Sequence, residues 1–171
     1  MGLISGLTTD EFGPEDSMTY AQAIALAARM NELYDTGSVT LVNGIDKWYS
    51  TYVDYCISKG IISQRYESVI NRTIDRKTYV MIFSKALPSE AFDEKNVIPD
   101  NSIPDVKKGA VLFYDSIYTF YRAGILNGSD DAGTFCPDSD IRRCEVAAIL
   151  VRMMDPAVRV SAPVSLAGSQ S

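Results

Sequence analysis

Three stretches of this chain align without a gap over the length of a helix, and this repetition limits the available folds more than any other feature. They are MTYAQAIALAARM from Met18, IDRKTYVMIFSKA from Ile74 and IRRCEVAAILVRM from Ile141. Counted from Thr19, Asp75 and Arg142, the fourth residue on is Ala23, Tyr79 or Val146, and the seventh is Leu26, Ile82 or Ile149. The eighth is Ala27, Phe83 or Leu150, and the eleventh is Met30, Ala86 or Met153. This spacing gathers the apolar residues on one face of a helix, in the same phase each time. The tenth residue on is a base in every copy, Arg29, Lys85 and Arg152, which reads as a last-turn cation suited to the helix dipole.

The starts of the three stretches read as caps. Thr19 with Gln22 forms the Thr-x-x-Gln pattern of a capping box, and Asp75 is a good N-cap. Arg142 cannot accept a hydrogen bond, and both Glu145 and Asp140 are close enough in sequence to serve that end instead. Upstream, GLISG at Gly2, GIISQ at Gly60 and GILNG at Gly124 recur at similar distances from the caps. Gly60 and Gly124 follow the amphipathic runs WYSTYVDYCISK and LFYDSIYTFYRA, so each reads as a helix stop. Copies one and three carry Phe-x-Pro before the cap, Phe12 to Pro14 and Phe135 to Pro137, whereas copy two has lost it. The expected unit is a helix, a Gly turn, a loop and a capped core helix. Copy one begins at its Gly turn and lacks the first helix.

The expected organisation is therefore all-α: helical-hairpin repeats joined by short irregular or β-like linkers. Residues 1–30 hold the second half of repeat one, 31–87 a linker and repeat two, 88–155 a linker and repeat three, and 156–171 a flexible tail. Within the first linker, DTGSVTLVNG has the β-branched alternation of a short strand or hairpin, while VIPDNSIPDVKKG reads as an irregular connector.

Composition narrows the chemistry. A net charge of −6 disfavours a duplex nucleic acid partner, whose affinity rests on cationic neutralisation of phosphates. No apolar run is long enough to insert in a membrane, and no signal peptide is visible in this chain. There is no histidine, and Cys56, Cys136 and Cys144 form no Cys-x-x-Cys pair, so neither a zinc ligand set nor most nucleophile-and-base arrangements are on offer. The cysteines read as free buried thiols, with a Cys136–Cys144 bridge left open. The loop SDDAGTFCPDSD lacks the ligand spacing and terminal Glu of a calcium-binding EF-hand loop. No cofactor, metal or catalytic residue is expected.

The quoted residues resemble the S-layer homology (SLH) domain, whose repeat carries a Gly-Ile-Ile-x-Gly turn, a Gly-Thr-Phe-x-Pro segment and an Ile-Thr-Arg-Ala-Glu helix start. GILNGSDDAGTFCPDSDIRRCEVAAILVRM matches nearly the whole second half of that repeat; copy two keeps GII and IDRKT, and copy one keeps GLISG, FGP and MTYAQ. The resemblance covers about residues 2–155 and implies three repeats packed as a pseudo-threefold bundle. It also implies a non-catalytic module that holds an exported protein to the bacterial cell wall. The bound partner would be a secondary cell-wall polysaccharide on peptidoglycan, commonly through a pyruvylated sugar. The location would be extracellular, on the cell wall or S-layer, within a larger parent protein, and a second chain could cover the incomplete repeat one.

Carried over residue by residue, the ligand-contacting arginine of that motif is Arg143 in copy three and Arg76 in copy two, with Tyr20 in copy one. The motif glutamate is Glu145, with Thr78 and Gln22 in the other copies. Asn127 and Gly128, from the Gly turn of copy three, complete the implied ligand set. A helix N-terminus offers unpaired amides, and an arginine beside it adds a planar fork for the sugar carboxylate. Trp48, the sole tryptophan, is a candidate stacking face for a sugar, with core packing as the competing role. The loss of motif charges in copies one and two leaves a second function open: a degenerate scaffold serving as a structural or protein-interaction module.

Overall fold

A computed structural model describes residue 13 and residues 15–166. Its helices are α1 (Tyr20–Thr36), α2 (Ser50–Ser58), α3 (Arg76–Ser84), α4 (Tyr114–Arg122) and α5 (Arg143–Met154), with 3₁₀ turns at Ser89–Phe92 and Pro156–Val158. The fold is all-α. Among the described residues there is no strand, only isolated antiparallel bridges between Ser17 and Arg142, Thr19 and Thr73, and Asp75 and Asp140.

The aligned stretches supply α1, α3 and α5, and their apolar faces form the core. All twelve stripe positions named above are at most 3% exposed. Each large apolar side chain buried this way contributes roughly 1.5–3 kcal/mol before conformational entropy is set against it. α2 packs on α1, and α4 packs on α3. Both of these shorter helices stop where a left-handed glycine follows, Gly60 at φ 71° and Gly124 at φ 74°, a conformation in which a side chain would be strained.

The starts of α1, α3 and α5 meet in a closed ring of backbone hydrogen bonds. The Met18 N–H donates to Ile141 O (3.1 Å), the Ile141 N–H to Ile74 O (3.2 Å), and the Ile74 N–H to Met18 O (2.9 Å). All three residues are buried. The first-turn amides are closed in the opposite rotation: Tyr20 and Ala21 donate to Arg72 O and Ile70 O, Arg76 and Lys77 to Ser139 O and Pro137 O, and Arg143 to Asp16 O. Donors that a helix leaves unpaired at its start are thus satisfied by the segment leading into a neighbouring helix.

Three expectations need correction. α1 does not end near Met30 but continues to Thr36 and stops at the left-handed Gly37 (φ 76°). The β-branched stretch after it forms no strand or hairpin, because a side chain takes the place of a partner strand. Buried Glu32 accepts from the N–H groups of Thr40 (3.0 Å) and Leu41 (3.1 Å), and also from the Thr40 hydroxyl. The cation at the tenth position is a last-turn residue only for Arg152; Arg29 sits in mid-helix and Lys85 is the C-cap of α3.

The described part of the expected flexible tail is docked. Val160 N–H donates to Gly124 O (2.9 Å), and Ala162 N–H to Asn96 Oδ1 (3.1 Å). Arg159 is buried and donates to Arg152 O (3.0 Å) and Ala91 O (2.6 Å). Leu166 is buried against Gly133, where a β-carbon would collide with it. The described part of the tail therefore covers the α4 end and the loop after it.

Two stability outcomes follow from this packing. Tyr79 is fully buried, stacked on Phe83 (4.2 Å between centroids), and its hydroxyl has no hydrogen-bond partner among the described residues. Tyr79→Phe removes that unsatisfied group and is expected to raise the denaturant midpoint, by about 1 kcal/mol of stability. Leu166→Ala is expected to cost about 2 kcal/mol and to expose the tail to limited proteolysis; an unchanged midpoint and cleavage rate would contradict the docked tail.

Candidate functional site

α1 and α3 are capped by side chains at the amide of the third helical residue. Thr19 Oγ1 accepts from Gln22 N–H (3.3 Å) while Gln22 Oε1 accepts from Thr19 N–H (3.0 Å), and Asp75 Oδ1 accepts from Thr78 N–H (2.8 Å). With the first two amides bonded to neighbouring carbonyls, these two helix ends have no free donors. They cannot offer the unpaired amides expected of a carboxylate site.

α5 differs because its N-cap is Arg142. Half of a capping box is present: Glu145 Oε2 accepts from Arg142 N–H at 3.1 Å. The other half is impossible, since a guanidinium has no acceptor. Asp140 does not substitute for it. The Glu145 amide therefore has no partner among the described residues. The second amide, on Cys144, corresponds in register to Lys77, and its matching acceptor would be Pro14, which lies outside the described residues, as do Phe12 and the GLISG turn.

The two motif arginines have different fates. Arg76 is buried, with Nε donating to Phe135 O at 2.7 Å, its guanidinium 5.2 Å from the Phe135 ring centroid, and one terminal nitrogen in an ion pair with Glu145. Two residues expected to bind ligand thus bind each other across the α3–α5 junction. Arg76 here serves as a buried structural cation, and Glu145 is its counterion as well as half a cap. Arg143 is half-buried, and its side chain has neither an ion-pair nor a hydrogen-bond partner among the described residues. Arg142 pairs with exposed Glu15 at 2.8 Å and lies 3.5 Å from Glu145. In copy one the motif position is filled by Tyr20, packed on Tyr66 with ring centroids 5.2 Å apart.

The α5 entrance carries charges of both signs. Arg76, Arg142 and Arg143 surround one end of the helix, countered by Glu145 and Glu15, with exposed Asp16 and Asp140 adjoining along the chain. Burial pushes the Glu145 carboxyl up, but the Arg142 backbone N–H and the Arg76 guanidinium outweigh it and hold its pKa below the usual value. At neutral pH this carboxylate is ionised and already engaged.

The structure does not bring the remaining candidates to this end. Trp48 precedes α2 and lies edge-on to Tyr49 and Tyr52, with ring centroids 5.8 and 6.3 Å apart. Tyr52 bonds to Arg29, well along α1, whereas Arg143 meets Asp16 ahead of α1. Asn127 is half-buried with no hydrogen-bond partner among the described residues. Gly128 (φ 93°) packs on Gly133 within its own turn, a close approach that only glycine allows. The acidic loop is engaged within itself and with α3: Asp130 accepts from Thr134 N–H (2.9 Å) and Oγ1 (2.7 Å), and Asp138 pairs with Lys77. No cluster of three or more metal-ligating side chains occurs among the described residues. Cys56 is buried and its thiol is pushed up to about 12 by desolvation, while Cys136 and Cys144 are half-buried, all three as free thiols.

One supporting residue escaped the sequence reading. Asp105 accepts from the Phe135 and Cys136 N–H groups at 2.9 and 2.6 Å, and so fixes the loop whose Phe135 carbonyl holds Arg76. It sits in an irregular connector, where no periodicity could single it out. No protein-family model matches this chain, and no curated protein matches it.

The Arg76–Glu145 pair makes a measurable contribution. A carboxylate whose pKa is lower folded than unfolded adds stability above its unfolded pKa, near 4.5, and loses it as pH falls through the folded value. Stability is expected to decline on acidification below about pH 4.5, with part of that decline absent in an Arg76→Met, Glu145→Leu double variant. Glu145→Gln alone strands a buried guanidinium and is expected to cost about 3 kcal/mol by chemical denaturation.

Proposed function

We propose that this chain is a non-catalytic module that anchors a larger parent protein on a bacterial cell wall by binding an acidic polysaccharide at the start of α5. The single observation that carries this reading is the unspent donor set there: the Arg143 guanidinium and the Glu145 amide. A carboxylate, such as that of a pyruvylated sugar on a secondary cell-wall polymer, can take the place of the cap oxygen that Arg142 cannot supply. It would accept from the Glu145 amide and, in a bidentate pair, from Arg143. The helix dipole favours the same negative charge. The SLH resemblance points to the same end of the same helix, and the ring joining Met18, Ile74 and Ile141 is in keeping with related units around a pseudo-threefold axis.

A second reading is favoured by the closure of the other two ends, where Tyr20 packs on Tyr66 and Arg76 is buried. On that reading the chain is a structural or protein-interaction scaffold in the envelope that has given up sugar binding. Retention on purified cell-wall sacculi separates the two. The anchoring reading expects retention that requires the secondary polymer and weakens about ten- to a hundredfold for Arg143→Ala, the loss of a charge-assisted contact. Retention on polymer-stripped sacculi equal to that on intact ones, unaffected by Arg143→Ala, would favour the scaffold.

A further inference from the structure

We infer a second anion site, remote from Arg143, in which Arg29 of α1 receives the carboxylate of a sugar whose ring lies against Trp48. Arg29 is half-buried in mid-helix. One of its terminal nitrogens donates to the Tyr52 hydroxyl at 2.7 Å, and its Nε is buried with no acceptor among the described residues. No carboxylate lies within ion-pair distance of it among the described residues. The acidic neighbour one turn on, Glu32, is spent on Thr40 and Leu41. Glu32 acts on Arg29 only through space, so the guanidinium has lost part of its water without gaining a direct carboxylate hydrogen bond, which a bound carboxylate would supply.

The groups around Arg29 suit a hydroxyl-rich ligand. The Tyr52 hydroxyl donates to Asn43 Oδ1 at 2.9 Å, which leaves the Asn43 amide nitrogen, at the surface, as a donor without a partner among the described residues. Trp48 is 39% exposed, edge-on to buried Tyr52, so part of its indole meets water beside these polar atoms. An exposed aromatic ring next to an amide and an unsatisfied cation offers stacking, hydrogen bonding and charge at one place. The site is distinct from the α5 entrance: Arg29 lies nine residues beyond Tyr20 in α1, about 14 Å along the axis. The choice of a sugar rests on the polysaccharide reading above; the anion site itself does not.

Trp48 is the only tryptophan in the chain, so its fluorescence reports on this site alone. Titration of the whole chain with a glucuronate-terminated disaccharide is expected to give a saturable change in emission. The methyl ester of the same disaccharide, without the charge, is expected to bind about tenfold more weakly. Arg29→Lys keeps the charge but loses the fork and is expected to weaken the acid several-fold, while Arg143→Ala leaves the titration unchanged. Asn43→Ala, at an exposed side chain, provides a second variant that removes the amide donor together with the acceptor of the Tyr52 hydroxyl, and is also expected to weaken binding. The inference is overturned by an absent response to the acid, by equal responses to acid and ester, by unchanged binding in Asn43→Ala, or by a response lost in Arg143→Ala. Loss of sacculus retention in Arg143→Ala with an intact Trp48 titration would support both sites separately.

Discussion

Three backbone hydrogen bonds, from Met18 to Ile141, from Ile141 to Ile74 and from Ile74 to Met18, fix how the rest of this molecule is arranged. Each of the three residues gives one bond and receives one, so no member of the ring can leave without stranding a buried donor and a buried acceptor. Their apolar side chains point into the core, which couples the ring to the packing of α1, α3 and α5. The ring also brings the segments entering these helices within reach of one another, so each can supply carbonyls to a neighbour's first turn. The helix ends are therefore closed by the fold itself rather than by solvent.

That closure decides where binding chemistry can reside. A helix N-terminus attracts anions only while its amides are free. At α1 and α3 the neighbouring carbonyls and a capping oxygen use all of them. At α5 the cap residue is an arginine, so among the described residues one amide is left over just where Arg143 has no counterion. The same arginine-rich start supports the fold through its neighbours: Glu145, tied to the Arg142 backbone, anchors buried Arg76, which grips the loop carbonyl of Phe135. Exchanging the cap oxygen for a guanidinium thus leaves, among the described residues, an open donor at a single helix start.

Much of the fold was legible in the sequence because it is written in local spacing. The apolar stripes predicted the core positions of three helices, Thr19 with Gln22 and Asp75 marked two starts, and Gly60 and Gly124 marked two stops. What could not be read depended on partners far along the chain. Nothing near Glu32 announces that its carboxylate would collect the amides of Thr40 and Leu41 and so replace a hairpin. The small polar residues after Pro156 look like a linker until Arg159 and Leu166 are seen buried against α4 and its loop. Arg76 and Arg143 occupy the same motif position, yet among the described residues one meets Glu145 of another helix and the other meets no carboxylate. A motif reports a residue's place on its own helix; whether its charge is already spent is settled by the neighbour across the junction.

The most direct test is an amide NMR titration of the whole chain with a pyruvylated disaccharide. The account predicts that shift changes at the helix starts concentrate at the Glu145 amide and the Arg143 guanidinium, while the Gln22 and Thr78 amides, held by Thr19 and Asp75, stay where they are. Equal perturbation at all three helix starts, or none at Glu145, would contradict the claim that α5 alone keeps its entrance open.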